Sequence, residues 1–192
     1  MLFRSGLLER MLAVEGDFRL RLSSTEPHPV LDAVLDLMAS NPRLCRSLHL
    51  PLQHGSDPIL KAMGRPYDAR GYRSFAERAR RMMPEIHFGT DLIVGFPGES
   101  EGLFEESYEF VKSLGLANMH IFPFSQRSGT PAASTPGRVS QELVAQRVER
   151  LRLLKEEMEL DFKKSFLGQE VEVLIQRVNR RGICEALSGN YL

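Results

Sequence analysis

An α/β fold built on a parallel sheet is predicted by three observations: four short apolar runs of strand length, turn chemistry at the end of each, and helical spacing of apolar residues beyond. Strand, loop and helix in repeated order imply parallel strands joined by right-handed crossovers, so the units form either half a barrel or one doubly wound sheet. A long helix and a short antiparallel β module complete the expected order, dividing the chain into residues 1–167 and 168–192.

The first strand is expected over Phe18–Ser24, where Phe18, Leu20 and Leu22 share a face; the prolines of TEPHP break it and introduce the helix VLDAVLDLMAS. Asn41-Pro42 ends that helix. The second strand is Ser47–Gln53, and beyond it Ser56 or Asp57 caps a short helix with Pro58 at its first position. A further helix is expected over Tyr72–Met83, with Phe75, Ala79 and Met82 at helical spacing. The third strand, IHFGTDLIVGF, is apolar enough to be buried on both faces, and the helix after it opens on acidic residues and closes at Gly115. Asn118–Ser125 is the fourth strand and leads into the loop QRSGTPAASTPGR.

The long helix runs from Val139 to Leu167 with Val144, Val148, Leu151, Leu154, Met158, Phe162 and Phe166 on one stripe, so it packs by a single face. Beyond Gly168 the period falls to two: Val171, Val173 and Ile175 alternate with Glu170, Glu172 and Gln176. An Asn-Arg-Arg-Gly turn and a strand near Ile183–Leu187 follow. Two or three strands are too few for a β domain stable by itself, so this antiparallel module reads as truncated.

Composition sets outer bounds. With 42% hydrophobic, 26% charged and 8% aromatic residues, collagen, disorder and disulfide scaffolds are excluded. Lys+Arg and Asp+Glu stand at 25 each, so no global field marks a nucleic-acid or membrane partner. The charge is nevertheless blocked: residues 57–81 hold seven basic and three acidic residues, whereas 85–109 hold seven acids and no Lys or Arg. Two solvated helix faces or a basic rim for a phosphate backbone both satisfy that pattern. Glu9 and Arg10 interrupt the first apolar stretch, no run reaches membrane-span length, and the chain reads as soluble and cytoplasmic. Cys45 and Cys184 are the only cysteines; they lie far apart, which leaves no metal or iron–sulfur ligand set within this sequence and makes reduced thiols the expectation.

Ligands of parallel α/β folds gather where the strands run out at their C-terminal ends. Those ends are polar here: Ser23, Ser24 and Glu26, then Gln53 and Ser56, then Thr90, Asp91, Gly95 and Glu99, then Ser125. Together they suit a ribose and an amino-acid moiety. In TDLIVGFPGE, Gly95 and Gly98 permit close approach to a flat ligand such as adenine, and Ile93 and Val94 offer it apolar contact; the string also reads as a tight strand-to-helix turn with Glu99 at the helix N-terminus. It is neither a P-loop nor G-x-G-x-x-G. His28, His49, His54, His87 and His120 are scattered without ligand spacing and read as structural, as do Met63, Met82, Met83, Met119 and Cys45. No catalytic residue is assigned.

Three strings taken together, LHLPLQHGSDPILKAMGRPY, TDLIVGFPGESEGLFEES and HIFPFSQRSGTPAA, closely resemble the methylthiotransferases. These are radical S-adenosylmethionine (SAM) enzymes that add a methylthio group to a modified adenosine beside the tRNA anticodon or to a ribosomal-protein aspartate. The resemblance runs from about Phe18 to the end, where GNYL is similar to the opening of that family's TRAM RNA-binding module. It implies the later part of a partial TIM-like radical SAM barrel, with Ser24, Glu26, Gln53, Ser56, Thr90, Asp91, Val94 and Gly95 as the cofactor-facing set and Arg177, Arg180 and Arg181 as phosphate contacts for tRNA.

Among the branches, HIFPFSQRSGTPAA and the preceding SLGLANM most resemble the enzymes acting on threonylcarbamoyladenosine, while His54 departs from the Ser common at that position. The ribosomal-protein enzyme and a non-catalytic SAM- or RNA-binding remnant are the alternatives. The family's C-x-x-x-C-x-x-C triad and three auxiliary-cluster cysteines are not in these 192 residues, so the sequence is expected to be part of a longer enzyme and inactive alone. The intact enzyme implies SAM, iron–sulfur clusters and an electron donor. Unpaired strand edges in a half-barrel imply self-association of the isolated chain.

Overall fold

The computed structural model describes residues 3–28 and 31–192. Pro29 and Val30, in the expected break and helix start after the first strand, lie outside them. The elements in order are α1 (Phe3–Leu12), α2 (Leu31–Ser40), β1 (Ser47–His49), α3 (Asp57–Ala62), α4 (Ala69–Met82), β2 (His87–Val94), α5 (Glu101–Leu114), β3 (Asn118–Pro123), α6 (Pro131–Ser134), α7 (Gln141–Lys164), β4 (Val173–Val178) and β5 (Cys184–Ser188). Strands β1, β2 and β3 form a parallel sheet in that order, with Ser47 beside His87, and Asp91 beside His120.

Local chemistry sets the helix boundaries. Asp68 accepts from the Gly71 amide at 2.7 Å, which starts α4 before the expected Tyr72. Ser100 caps α5 through Leu103, Gly115 ends it in the left-handed conformation at φ 55°, and Ser140 caps α7 through Leu143. Helix α1 was not read from the sequence; Leu8 and Leu12 bury one side of it in the main core, against α2.

The first expected strand is absent as a strand. Only Leu20 makes a parallel bridge, to Leu44, and Thr25 reaches the His49 carbonyl at 3.0 Å. The Ser47 amide donates instead to Cys45 at 2.8 Å, so the edge of β1 presents no regular row of donors to residues 18–24. The second strand is shorter than expected because Pro51 has no N–H to give. The Leu52 amide donates to the Thr90 hydroxyl at 2.9 Å, and main-chain pairing resumes only at Gln53, whose amide reaches the Asp91 carbonyl at 2.8 Å.

Residues Phe88, Thr90, Leu92 and Val94 of β2 are buried under the helices, whereas His87, Asp91 and Ile93 on the other face are half-buried. This corrects the expectation of burial on both faces. The helices stand on one side: the Tyr72 hydroxyl of α4 donates to the Leu50 carbonyl at 2.7 Å and meets Thr90, and the Arg80 guanidinium lies over Phe88. A doubly wound sheet carries helices on both faces; one covered and one open face is the geometry of a barrel wall. The half-barrel alternative is therefore the one realised.

Helix α7 runs along β3, from Val144 beside Gly95 past the end of β2 to Phe162 against His87 at its start. Arg147, Leu151, Leu154 and Met158 form its buried stripe, so it packs by one face as expected. Strands β4 and β5 pair antiparallel across a turn in which Asn179 Oδ1 accepts from the amides of Arg181 and Ile183. All six residues of β4 are exposed, so the period of two there faces solvent on both sides. The end of this module is anchored to the start of the sheet: Asn190 donates to the Glu85 carbonyl at 3.1 Å, and Arg21 donates to the carbonyls of Ser188 and Gly189. Among the described residues no helix is long and apolar enough to cross a membrane.

Candidate functional site at the open face and strand ends

Strand β2 ends in a turn that inverts the chain into α5. Gly95 adopts φ 80°, its amide donates to the Glu99 carboxylate, and the place a Cβ would take is filled by Val144 of α7. On that side the glycine serves helix packing. After Gln53, itself held at φ 69°, Gly55 passes so close to the α5 backbone that an added Cβ would stand 2.8 Å from Ser107 Cα. The Gly55 amide donates to Ser107 Oγ and the Ser56 hydroxyl donates to Glu106 at 2.6 Å. Ser56 sits at the N-cap of α3, but that hydroxyl is turned away from the helix.

The eight cofactor candidates therefore fall into two layers. Ser24 and Glu26 are exposed at the rim, Glu26 held by Arg65 at 2.8 Å, and Gln53 is half-buried. The Thr90 hydroxyl donates to the Leu50 carbonyl at 2.8 Å beneath the sheet, Val94 belongs to the core, and Ser56 and Gly95 are engaged as described. Asp91 lies deeper on the open face, three residues before β2 ends, where one carboxylate oxygen meets His49 Nε2 at 2.9 Å and His120 Nδ1 at 3.2 Å. Beside the rim the Tyr67 hydroxyl donates to the Pro51 carbonyl, and burial pushes that phenol up to about 12.

A buried ionic network underlies the turn. His54 Nδ1 accepts from the Ser56 amide at 3.0 Å, so Nε2 carries the proton and donates to Glu99 at 3.2 Å. The other Glu99 oxygen lies 3.3 Å from Arg147, whose guanidinium also reaches the Glu99 carbonyl and, at 2.7 Å, Glu101. His54, Glu99 and Arg147 side chains are each no more than 2% exposed. Glu99, expected at the strand-end rim, lies instead in this buried network, and Arg147 joins it from α7. The spacing of Arg147 to Leu151, Leu154 and Met158, which puts it on the apolar stripe, is the signal that finds it.

At the opposite end of the sheet His87 packs between Phe162 and Tyr191, and Arg21 lies 3.8 Å over the Tyr191 ring. Burial first, then the Arg21 charge, pushes the imidazole down to about 4. The unfolded chain takes up this proton near pH 6.5 and the folded chain does not until about pH 4, so stability is full above that window and falls as pH drops through it. Urea melts from pH 7 to 4.5 are expected to lose about 1–2 kcal/mol more for the wild type than for His87→Gln, after allowance for partial solvation. Parallel losses in both proteins would remove His87 as the cause.

The phosphate candidates Arg177, Arg180 and Arg181 are exposed on β4 and its turn, on the small module and apart from the strand-end rim. Cys45 is buried and Cys184 exposed.

A parallel sheet with helices on one face and polar groups at the strand ends defines a barrel-type α/β enzyme domain. The chain belongs to the radical SAM superfamily, whose family profile matches residues 2–111. It is 40% identical to a tRNA-2-methylthio-N(6)-dimethylallyladenosine synthase of Nocardia farcinica over 88% of this chain and 34% of that one. It is 34% identical to a threonylcarbamoyladenosine tRNA methylthiotransferase of Thermotoga maritima over 97% of this chain and 43% of that one. The chain thus spans 34–43% of the length of these two relatives. Coproporphyrinogen III oxidase of Escherichia coli, a radical SAM enzyme, shares the fold with TM-score 0.63 and 14% identity over 80% of this chain and 37% of that one. A radical SAM methyltransferase of Kitasatospora setae gives TM-score 0.57 and 18% identity over 69% and 27%.

Membership implies SAM and an iron–sulfur cluster. One buried thiol before β1 and one exposed thiol on β5 do not fit a cluster, and no chemical step is assigned to these residues through one. Half-buried Ile93 is joined to Gln53 across the sheet, its amide donating to the Gln53 carbonyl at 2.8 Å, and the Gln53 amide, the Ser24 hydroxyl and the Glu26 carboxylate are groups of the kinds that suit the nucleoside and amino-acid parts of SAM.

Proposed function

We propose that this chain is the later part of the catalytic barrel of a tRNA methylthiotransferase, which adds a methylthio group to an N6-modified adenosine next to the anticodon. The observation that carries the reading is identity of 34–41% to enzymes of that description along 84–97% of the chain. Threonylcarbamoyladenosine is the modified base we favour, supported by the string HIFPFSQRSGTPAA. Dimethylallyladenosine is the second reading, supported by the 40% identity to the Nocardia enzyme.

In this reading SAM supplies radical chemistry when bound, and the chain's own residues bind and orient. Ser24, Glu26 and Gln53 hold the ribose and amino-acid groups. Ser56, Thr90, Val94 and Gly95 act one layer back, fixing the strands and turn that carry the first three. Arg177, Arg180 and Arg181 hold tRNA phosphates on a TRAM-like module at 168–192, and the barrel portion is 1–167. An electron donor serves the iron–sulfur cluster of the intact enzyme, the reaction is cytoplasmic, and the chain taken alone associates through its open edges.

Nucleosides from source cells disrupted in this gene test the proposal. Loss of the methylthio form of threonylcarbamoyladenosine, restored by the uninterrupted native gene, is the expected result. Loss of methylthio-dimethylallyladenosine moves the assignment to the second reading. If both nucleosides persist and a ribosomal-protein aspartate loses its methylthio group, the tRNA assignment fails.

A further inference from the structure

The open face of the sheet carries a cluster in which Asp91, expected among the cofactor-facing residues, meets two histidines that no role above uses. His49, Asp91 and His120 project from three adjacent strands, and one ligand atom of each lies within 4.8 Å of the other two. Both imidazole nitrogens aim at the same Asp91 oxygen, at 2.9 and 3.2 Å, and the rings stand 5.2 Å apart. We infer that these three side chains form a binding site for a divalent transition-metal ion of the Zn²⁺ or Fe²⁺ kind. The inference stands independently of the proposed substrate.

The chemistry of the donors sets the ion class. Two imidazoles and one carboxylate leave coordination positions open, the arrangement of catalytic zinc and non-haem iron sites, whereas Mg²⁺ and Ca²⁺ prefer all-oxygen sets. Metal–ligand bonds of about 2.1 Å place tetrahedral ligand atoms about 3.4 Å apart, so the two nitrogen–oxygen separations open by a few tenths of an ångström while the two imidazole nitrogens, within 4.8 Å of each other, draw together through rotation of the half-exposed His120 ring. The nitrogens that now face Asp91 then coordinate the ion in neutral imidazoles.

The backbone prepares the site. His49 pairs with Gly89, and a Cβ on Gly89 would stand 2.8 Å from His49 Nδ1, so the ring lies where any other residue would displace it. Asn118 follows in the same row, and its side-chain oxygen Oδ1 is buried with no hydrogen-bond partner among the described residues. An acceptor in that row suits the outer shell of a metal-bound histidine, whose second nitrogen normally donates to such an oxygen. Ligands on strands of one sheet are held more rigidly than ligands on loops, and the half-exposed His120 leaves an entry path from the open face.

Titration of the full chain with Co²⁺, in a Cys184→Ser background that removes the exposed thiol, tests this. One ion per chain with visible d–d absorption is expected, together with a rise in melting temperature on Zn²⁺ addition. Asp91→Asn and His120→Ala, each checked for native far-UV circular dichroism, should weaken Co²⁺ binding by more than the roughly 10–100-fold that loss of an outer-shell partner costs. His28→Ala should leave binding unchanged. Absence of d–d absorption from the unmutated cluster, or spectra and affinities that survive both Asp91→Asn and His120→Ala, would overturn the assignment.

Discussion

Replacing Arg147 by methionine is expected to lower the free energy of unfolding by about 3–5 kcal/mol, the range for removing one partner of a buried ion pair. Methionine keeps most of the side-chain volume, so the loss reports charge and hydrogen bonding rather than a cavity. Glu99 would keep only His54 and the Gly95 amide while 1% exposed, and Glu101 would be left with Arg150 at 3.7 Å as its partner on α7. Phe104, 5.0 Å from the guanidinium, would lose a cation–π partner. Urea denaturation measures the change. Glu99→Gln combined with Arg147→Met should recover a substantial part of it, because the double variant leaves no uncompensated buried charge. A single-variant loss below about 1 kcal/mol would mean that water reaches this network and that it behaves as a surface pair.

Gly95→Ala is expected to cost about 2–4 kcal/mol through two separable causes. A left-handed backbone costs a non-glycine residue of order 1–3 kcal/mol, and overpacking against a fixed neighbour a similar amount. The φ of 80° supplies the first, and Val144 of α7, standing where the methyl must go, supplies the second. In a Val144→Ala background the same glycine replacement should lose only the backbone part, so the two effects couple strongly in a double-mutant cycle. Equal costs in both backgrounds would mean that α7 does not press on this turn. The stability cycle needs no ligand, and it therefore separates the packing role of Gly95 from any role in cofactor binding.

Much of the fold was legible because its signals are local. The left-handed stop at Gly115 and the apolar stripe of α7 depend on residues a turn or two apart. The failures have equally specific causes. Phe18–Ser24 has the alternation of a strand, yet Ser47 spends its amide on Cys45 and no ladder forms. The apolar composition of β2 suggested burial on both faces, because composition does not record that every crossover helix lies on one side.

The candidate site divides in the same way. Gln53 comes where its expected strand ends, at a single bridge to Leu92, whereas Glu26 follows an expected strand that does not form. Val94 ends β2, Thr90 lies four residues before that end and Ser56 caps α3 beyond β1; all three stand one layer behind the open face, since a one-residue step along a strand exchanges its faces. The histidines could not be grouped at all: His49 and Asp91 are 42 positions apart, and His120 another 29 beyond.

By itself, then, the sequence determined most of the alternation of strands and helices from Ser47 onward, the stop at Gly115 and membership of the radical SAM superfamily, all carried by short strings and short-range periodicity. The tertiary structure alone decided which face of the sheet stays open, which arginine is buried, and which polar groups meet. Those outcomes depend on strand register and on the side to which each crossover packs, and both are settled by contacts between residues tens of positions apart, made only when the core closes.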